Sequence, residues 1–128
     1  MGHHTPHDVH AAGWRGERRA ERFYIDRGYA VVARNWRGGG GEIDLVVVRD
    51  DVLAAVEVRV RSRGEYGSAA ASVTTTKQRR VLGAVRAFVA AYPEWLADGY
   101  RTVRLDVVAI DRGRVDVIYG ALRICGAL

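Results

Sequence analysis

Two acidic residues, Asp44 and Glu57, lie in neighbouring segments where polar residues alternate with aliphatic ones. The two segments are Gly41–Leu45 and Val56–Val60, and an alternation with a period of two predicts half-buried strands. Between them, the polar break Arg49–Val52 suits a tight turn. The sequence therefore predicts a β-hairpin with Asp44 on one strand and Glu57 on the other.

The turn also predicts how the two strands are aligned. If Arg49 lies opposite Val52, counting outward places Asp44 opposite Glu57, with their Cβ atoms roughly 5 Å apart. Two ionised carboxylates at about that distance repel each other by about 3 kcal/mol at an effective dielectric of about 20. A bound cation, a shared proton or nearby arginines would offset this repulsion. The pattern of residues leaves these three explanations open.

A bound cation would give this pair of carboxylates a chemical role. Mg²⁺ prefers hard oxygen ligands, usually one or two carboxylates completed by water and substrate phosphate, and the carbonyl of Val58 lies close by in the sequence. Such an ion polarises a phosphodiester and lowers the pKa of a bound water. The alternative is a solvated face on which the two carboxylates pair with Arg59, Arg61 or Arg104.

Two residues of the predicted helices are further candidates. Lys77, the only lysine of the chain, extends the apolar stripe of its helix by one turn, so it is expected to point toward the sheet. It also lies near a helix N-terminus, where anions are favoured. The alternative is that its methylenes cover apolar surface. For Glu17, the residue pattern favours an exposed glutamate in ordinary salt bridges.

Basic and aromatic residues surround the predicted hairpin. Arg34, Trp36 and Arg37 flank a glycine turn, and Arg61 and Arg63 extend the second strand. Arginines interleaved with an aromatic residue suit phosphate contact and base stacking, and the formal charge of +5 favours a polyanionic partner such as nucleic acid. The alternative is a polar rim around a core tryptophan.

Composition excludes several other classes of protein. The single cysteine excludes an internal disulfide, and every histidine lies within the first ten residues, so no Ser-His-Asp or Cys-His set is expected. The glycine run Gly38–Gly41 lacks the lysine and spacing of a P-loop. No apolar run is long enough to span a membrane, and we expect a cytoplasmic protein. The histidine-rich start is expected to be an unstructured arm rather than a metal site.

The order of predicted elements is helix, three strands, helix and two strands, the last strand at an edge. The first helix is expected from Gly13 to Arg27 and the second from about Thr75 to Tyr92. This order predicts an α/β fold, with helices packed on a mixed sheet of four to five strands. We expect a flexible arm at 1–12, one domain at 13–120 and a tail at 121–128.

The motifs in combination resemble a known family. In chain order they are Gly16-Glu17, Gly28-Tyr29, Arg34-Asn35-Trp36-Arg37, Gly41-Glu42-Ile43-Asp44-Leu45, Val56-Glu57-Val58-Arg59, Arg61, Tyr66-Gly67, Lys77 and Leu105-Asp106-Val107-Val108. They resemble the YraN-like family of small bacterial proteins, which is similar to Holliday-junction resolvases in the PD-(D/E)XK nuclease superfamily. The resemblance implies a restriction-endonuclease-like three-layer fold and hydrolysis of phosphodiester bonds that depends on Mg²⁺, with Mn²⁺ as a substitute.

The resemblance also implies roles for individual residues. Asp44 matches the metal-binding aspartate, and Glu57 matches the glutamate of the E-x-K motif. Glu17 matches a helical glutamate that assists metal binding, and Lys77 matches a lysine of the second helix. Resolvase-like relatives suggest a homodimer, because two cuts need two sites.

One residue departs from the family pattern. Arg59 occupies the position of the E-x-K lysine, and an arginine does not deprotonate in proteins. Arg59 could serve as an electrostatic stabiliser, Lys77 could supply the missing ammonium, or catalysis could be lost. We expect an Mg²⁺-dependent endonuclease acting on structured or branched DNA. A non-catalytic nucleic-acid-binding module is the main alternative, and a protein-interaction domain is a third.

Overall fold

The computed structural model of the chain describes residues 8–60, 75–94 and 102–125. The elements of these residues are α1 (Asp8–Asp26), β1 (Ala30–Gly38), β2 (Gly41–Arg49), β3 (Val52–Val60), α2 (Thr75–Ala91), β4 (Thr102–Asp111) and β5 (Arg114–Cys125). The strands form one sheet in chain order, in which β3 and β4 are parallel and the other neighbours are antiparallel. The prediction of a mixed sheet with β5 at its edge is confirmed.

The two helices pack on opposite faces of the sheet. Tyr24 of α1 belongs to a buried cluster with Leu45 and Val47 of β2, whereas Phe88 of α2 belongs to a second cluster with Val46 on the other face. Because both faces of β2 are covered, its central residues form a continuous apolar run. This three-layer α/β architecture is consistent with the restriction-endonuclease-like fold.

The hairpin has the predicted alignment. Arg49 pairs with Val52, and the pairing continues to Leu45 opposite Val56. Within the described strands, this is the last register pair between β2 and β3. Asp44 and Glu57 are the next residues on the two strands, one position farther from the turn, where the paired part of the hairpin ends.

One detail of the predicted strand geometry is wrong. Regular alternation predicts that Ile43, Leu45 and Val47 share a face, but Ile43 packs in the α2 layer while the other two pack in the α1 layer. The reversal occurs at Asp44. In the adjoining part of β1, Asn35 has a φ of 49°, in the left-handed region that asparagine tolerates better than most residues. The local departure from regular strand geometry therefore coincides with the candidate metal ligand.

The ends of the domain differ from the predicted boundaries. Residues 8–12, expected in a flexible arm, belong to α1, and residues 121–125, expected in a tail, belong to β5. The second helix begins at Thr75 as predicted and ends at Ala91, just before Pro93. The histidines His3, His4 and His7 lie outside the described residues. No helix among the described residues is long and apolar enough to cross a membrane.

The topology gathers several segments at one end of the sheet, called here the upper end, which carries Val60. Because β3 and β4 are parallel and their other neighbours are antiparallel, the β1–β2 turn and the β4–β5 turn both lie at this end. Gly16 of α1 also lies there, since a Cβ added to it would collide with the side chain of Val60. The opposite, lower end carries the β2–β3 turn.

Candidate functional site

Asp44 lies at the upper end in a gap between β2 and β3. Its Oδ2 atom accepts a hydrogen bond of 2.7 Å from the backbone N–H of Val58. Burial, together with the charges of Glu57, Glu17 and Glu42, raises the pKa of Asp44 to about 7 against the effect of this hydrogen bond. A carboxylate in this environment is costly to ionise, and a cation beside it would lower that cost.

Glu57 faces the α2 side of the same gap and has two cationic neighbours. Its Oε2 atom lies 3.1 Å from Nη2 of Arg59 and 3.4 Å from Nζ of Lys77. Burial raises the pKa of Glu57, the charge of Arg59 opposes this shift, and the charge of Glu42 adds to it. The structure thus brings the helical lysine and the arginine of the E-x-R segment to the same carboxylate oxygen.

The position of Lys77 follows from how α2 lies on the sheet. Lys77 precedes the buried residues Val81 and Phe88 on the helix face that packs against the strands. The glycine turn holds this helix close, because a Cβ at Gly39 would collide with the carbonyl of Gly83. Gly39 also has a φ of 60°, which suits glycine. The glycine run therefore docks α2 and lets its lysine reach Glu57.

Glu17 approaches the site from α1. Burial raises its pKa, a hydrogen bond from the side chain of Asn35 lowers it, and the charges of Glu42 and Glu57 raise it again. Among the residues that the structure describes, no three His, Cys, Asp or Glu side chains are grouped closely enough to hold a metal ion. Glu17 is therefore an electrostatic neighbour of Asp44 in this structure, outside any three-carboxylate ligand set.

Two of the residues predicted to bind nucleic acid have partners within the protein. Arg34 donates two hydrogen bonds to Glu21, at 2.8 and 2.6 Å. The ring of Trp36 packs edge-on against Phe88, with 5.4 Å between ring centroids, on the cluster beneath α2. This is the core position that the alternative interpretation of Trp36 describes.

The other residues predicted to bind nucleic acid are Arg37, Arg61 and Arg63. Arg37 is exposed, lies 3.3 Å from Glu42 and lines a cavity of about 660 Å³ beside the glycine turn. Lys77, Glu57 and Arg80 line the same cavity. Arg61 and Arg63 lie outside the described residues.

Sequence reasoning missed two residues of this site, Arg80 and Asn35. Arg80 follows Lys77 by three positions, which places it on a neighbouring part of the same helix face. That spacing was the signal available in the sequence. Asn35 offered a weaker signal, since asparagine is enriched in left-handed conformations, and its hydrogen bond to Glu17 depends on tertiary structure.

The donor set fits a hard divalent cation in part. Asp44 and Glu57 supply two carboxylates, as an Mg²⁺ site usually does, with the remaining positions left to water and phosphate. Arg59 adds a second observation: its Nε and Nη2 atoms are buried, and neither has an acceptor in hydrogen-bond geometry among the described residues, although Nη2 is in the ion pair with Glu57. Buried donors of this kind are costly to leave unmatched, and a phosphate oxygen entering the gap would supply an acceptor.

The protein-family comparison covers this whole region. The model of the family described as "Uncharacterised protein family UPF0102" matches residues 16–110. The chain belongs to the UPF0102 family. The YraN-like family that the sequence motifs indicate is this same family, so that prediction is confirmed. The matched range includes Glu17, Asp44, Glu57 and Lys77.

Individual UPF0102 proteins resemble the chain over most of their length. A UPF0102 protein of Ralstonia pickettii is 46% identical over 119 residues, which cover 88% of this chain and 91% of the relative. A second, from Cupriavidus metallidurans, is 44% identical over 113 residues, 88% of this chain and 80% of the relative. A third, from Burkholderia mallei, is 45% identical over 108 residues, 84% and 72% of the two chains.

Proposed function

We propose that this UPF0102 protein is a metal-dependent endonuclease that hydrolyses phosphodiester bonds of structured or branched DNA. The observation that carries the proposal is the placement of Asp44 and Glu57 at the gap between β2 and β3, with two cationic groups on Glu57. Carboxylates for a hard cation and basic groups for phosphate are the two requirements of this chemistry.

In the proposed site, Asp44 and Glu57 would hold Mg²⁺, or Mn²⁺ in its place. The ion, when bound, would polarise the phosphodiester and lower the pKa of an attacking water. The backbone N–H of Val58 orients Asp44 by occupying its Oδ2 atom. The carboxylate of Glu17 adds negative potential that favours a cation.

Arg59 and Lys77 would together take the role of the lysine of the E-x-K motif, which contacts the phosphate. The guanidinium of Arg59 stays charged and presents planar donors to a phosphate. The ammonium of Lys77 is a compact donor at the same Glu57 oxygen. Together they would stabilise the charge that develops on the phosphate oxygens.

Cleavage assays with a labelled four-way junction and a matched linear duplex test this proposal. With Mg²⁺ or Mn²⁺ the protein is expected to cut the junction, and Asp44→Asn is expected to lower the rate on the order of a thousandfold, because several kcal/mol of transition-state stabilisation is lost. Cleavage at equal rates by the wild type and the Asp44→Asn variant would show that another site, or a contaminant, is responsible.

The second candidate is a nucleic-acid-binding module with a lapsed catalytic site. It is favoured by the contact between Arg59 and Glu57, since two cations beside one carboxylate offset its charge without a metal. Such a module would bind DNA in EDTA, with an affinity that falls steeply with salt. Arg59→Lys separates the candidates: a gain of cleavage from none indicates a lapsed site, whereas activity already present in the wild type indicates a working one.

The proposed substrate also implies an assembly. Symmetrical cutting of a junction needs two active sites, so a homodimer on the DNA is part of the proposal. Analytical ultracentrifugation of the protein with and without a four-way junction would measure the number of chains bound. One chain on each junction would contradict this part of the proposal while leaving single-strand cutting open to test.

A further inference from the structure

A second basic site lies at the upper end of the sheet, outside the cavity beside Lys77. A pocket of about 270 Å³ is formed where α1 meets the β4–β5 turn. Arg15 and Arg19 line it from the helix, and Arg112 lines it from the turn. The other lining residues are Gly16, Val60, Ile110 and Gly113. Among the described residues that line this arginine pocket, none is acidic.

Contacts between α1 and the turn fix the shape of the arginine pocket. Arg15 and Arg19 are four residues apart, so their side chains project from the same helix face. Arg19 donates a hydrogen bond from Nη2 to the carbonyl of Gly113, which ties the helix to the turn. Gly16 permits the close approach, since a side chain there would collide with Val60. The pocket is therefore built by packing between elements.

Arg112 occupies an unusual backbone position for an arginine. Its φ is 53° and that of Gly113 is 82°, as in a two-residue hairpin turn of the kind that prefers Asn-Gly. A left-handed conformation is strained for a residue other than glycine. Such strain is retained where the surroundings or a function select it. The guanidinium is 75% exposed and lies 4.0 Å from Asp111, an exposed pair of small energetic value.

The arginine pocket flanks the candidate active site on the side away from Lys77. Two of its lining residues are close in sequence to candidate site residues: Gly16 directly precedes Glu17, and Val60 follows Glu57 by three residues along β3. The cavity lined by Arg37 and Lys77 is on the α2 side, and Glu57 of β3 is one of its lining residues. This end of the sheet therefore carries basic side chains on both the α1 side and the α2 side.

We propose that the arginine pocket binds a backbone phosphate of the nucleic acid, away from the phosphate that is cut. Guanidinium groups bind phosphate oxygens through pairs of parallel hydrogen bonds, and three of them around one concavity suit a single phosphodiester. This inference rests on the proposed action on DNA, although it does not require that the DNA be cut. It assigns DNA positioning to residues outside the carboxylate site.

The test measures binding of a fluorescent four-way junction to the Asp44→Asn protein in EDTA, over a series of KCl concentrations. Replacing Arg15 and Arg112 together by glutamine is expected to raise Kd about tenfold or more at low salt. The slope of log K against log salt should fall by about one for each phosphate that the variant no longer binds. Arg22→Gln is the matched control, because Arg22 is an exposed arginine of α1 that pairs with Asp26 away from the pocket.

A second variant tests whether weaker binding could result from damage to the fold. Arg112→Gly removes the guanidinium while placing at φ 53° the residue that best tolerates it. It is expected to bind the junction more weakly than the control and to unfold at no lower a temperature than its parent protein. Such a variant separates removal of the phosphate-binding group from damage to the fold.

The outcomes distinguish this inference from the proposed nuclease activity. Kd values and salt slopes equal to those of Arg22→Gln, in both pocket variants, would overturn the inference even if the wild type cuts DNA. Weaker binding and a smaller slope would support it even if the wild type never cuts. Absence of any junction binding at low salt would overturn it together with the proposed action on DNA.

Discussion

Asp44 is half-buried on β2 and Asp106 is fully buried on β4, the two neighbours of β3, and their surroundings are opposite in character. Asp106 accepts hydrogen bonds from Arg104 at 2.8 and 3.1 Å, from the hydroxyl of Tyr24 at 2.8 Å and from the backbone N–H of Gly120 at 2.8 Å. Asp44 accepts one from Val58, and burial raises its pKa, which neighbouring carboxylates raise further. Removing a buried anion from its matched donors destabilises a fold, whereas a carboxylate with a raised pKa among like charges is costly to keep ionised without a cation.

The network around Asp106 joins three parts of the molecule. Arg104 also donates a hydrogen bond of 2.6 Å to the hydroxyl of Tyr29. Burial raises the pKa of Tyr24, and the charge of Asp106 raises it further, so this hydroxyl remains a donor. An irregularity in the β4–β5 pairing at Asp106 accompanies the hydrogen bond from Gly120. The network connects α1, β4 and β5.

Removing Asp106 should produce the largest loss of stability. Asp106→Ala would leave the mostly buried guanidinium of Arg104 without its partner, and we expect a loss of about 3–5 kcal/mol in the free energy of urea unfolding. Asp116→Ala is the control, since its pair with Arg114 is exposed and should contribute less than about 1 kcal/mol. Equal losses of unfolding free energy in the two variants would show that the buried, hydrogen-bonded Asp106 contributes no more to stability than the exposed Asp116.

Neutralising Asp44 should raise the stability of the protein, whereas removing Asp106 should lower it. Asp44→Asn removes the cost of ionising a half-buried carboxylate while keeping an oxygen to accept the hydrogen bond from Val58. In metal-free buffer at about pH 8, the variant is expected to be more stable than the wild type by a few kcal/mol, since one pKa unit corresponds to about 1.4 kcal/mol. A clear loss of stability in urea unfolding would show that Asp44 supports the fold as Asp106 does.

The same comparison predicts a pH dependence with a defined sign. Folding raises the pKa of Asp44 from 3.8 to about 7, so the folded protein binds more protons than the unfolded chain between these values. The contribution of Asp44 is therefore fully present below about pH 4 and is lost as the pH rises through 7. The Asp44→Asn variant should lose this component. Parallel stability curves for wild type and variant in EDTA, from pH 4 to 8, would contradict the prediction.

Tyr24→Phe should give a smaller effect. The substitution keeps the buried ring and removes one of the hydrogen bonds to Asp106, which costs about 2 kcal/mol for a bond to a charged group. The free energy of unfolding measures it, and combining Tyr24→Phe with Asp106→Ala should give less than the sum of the single effects, because both remove the same hydrogen bond. Additive losses would place the contribution of the Tyr24 hydroxyl elsewhere.

Local pattern predicted much of the architecture. The alternation of residues and the Asp50-Asp51 turn predicted the hairpin and its alignment, and the apolar stripe of α2 predicted that Lys77 points toward the sheet. These features depend on neighbours in sequence. The period of two failed at Ile43, opposite a part of β1 that contains the left-handed residue Asn35, and nothing local to Ile43 encodes the reversal.

The sequence pattern did not predict the features that depend on tertiary contacts. Regular alternation places Asp106 among the polar residues of its strand, but its burial depends on Tyr24, 82 residues earlier. The salt bridge between Arg34 and Glu21 and the packing of Trp36 on Phe88 likewise join separate elements. The three arginines around the β4–β5 turn come from two such elements.

Direct titration with Mn²⁺ tests the central claim, that Asp44 and Glu57 form a divalent-cation site. Isothermal titration calorimetry of the metal-free protein at about pH 8 should show saturable binding by the wild type. The Asp44→Asn variant should show little or none, whereas Asp116→Ala should bind as the wild type does. Equal Mn²⁺ binding by the wild type and Asp44→Asn, or none by the wild type, would contradict the account.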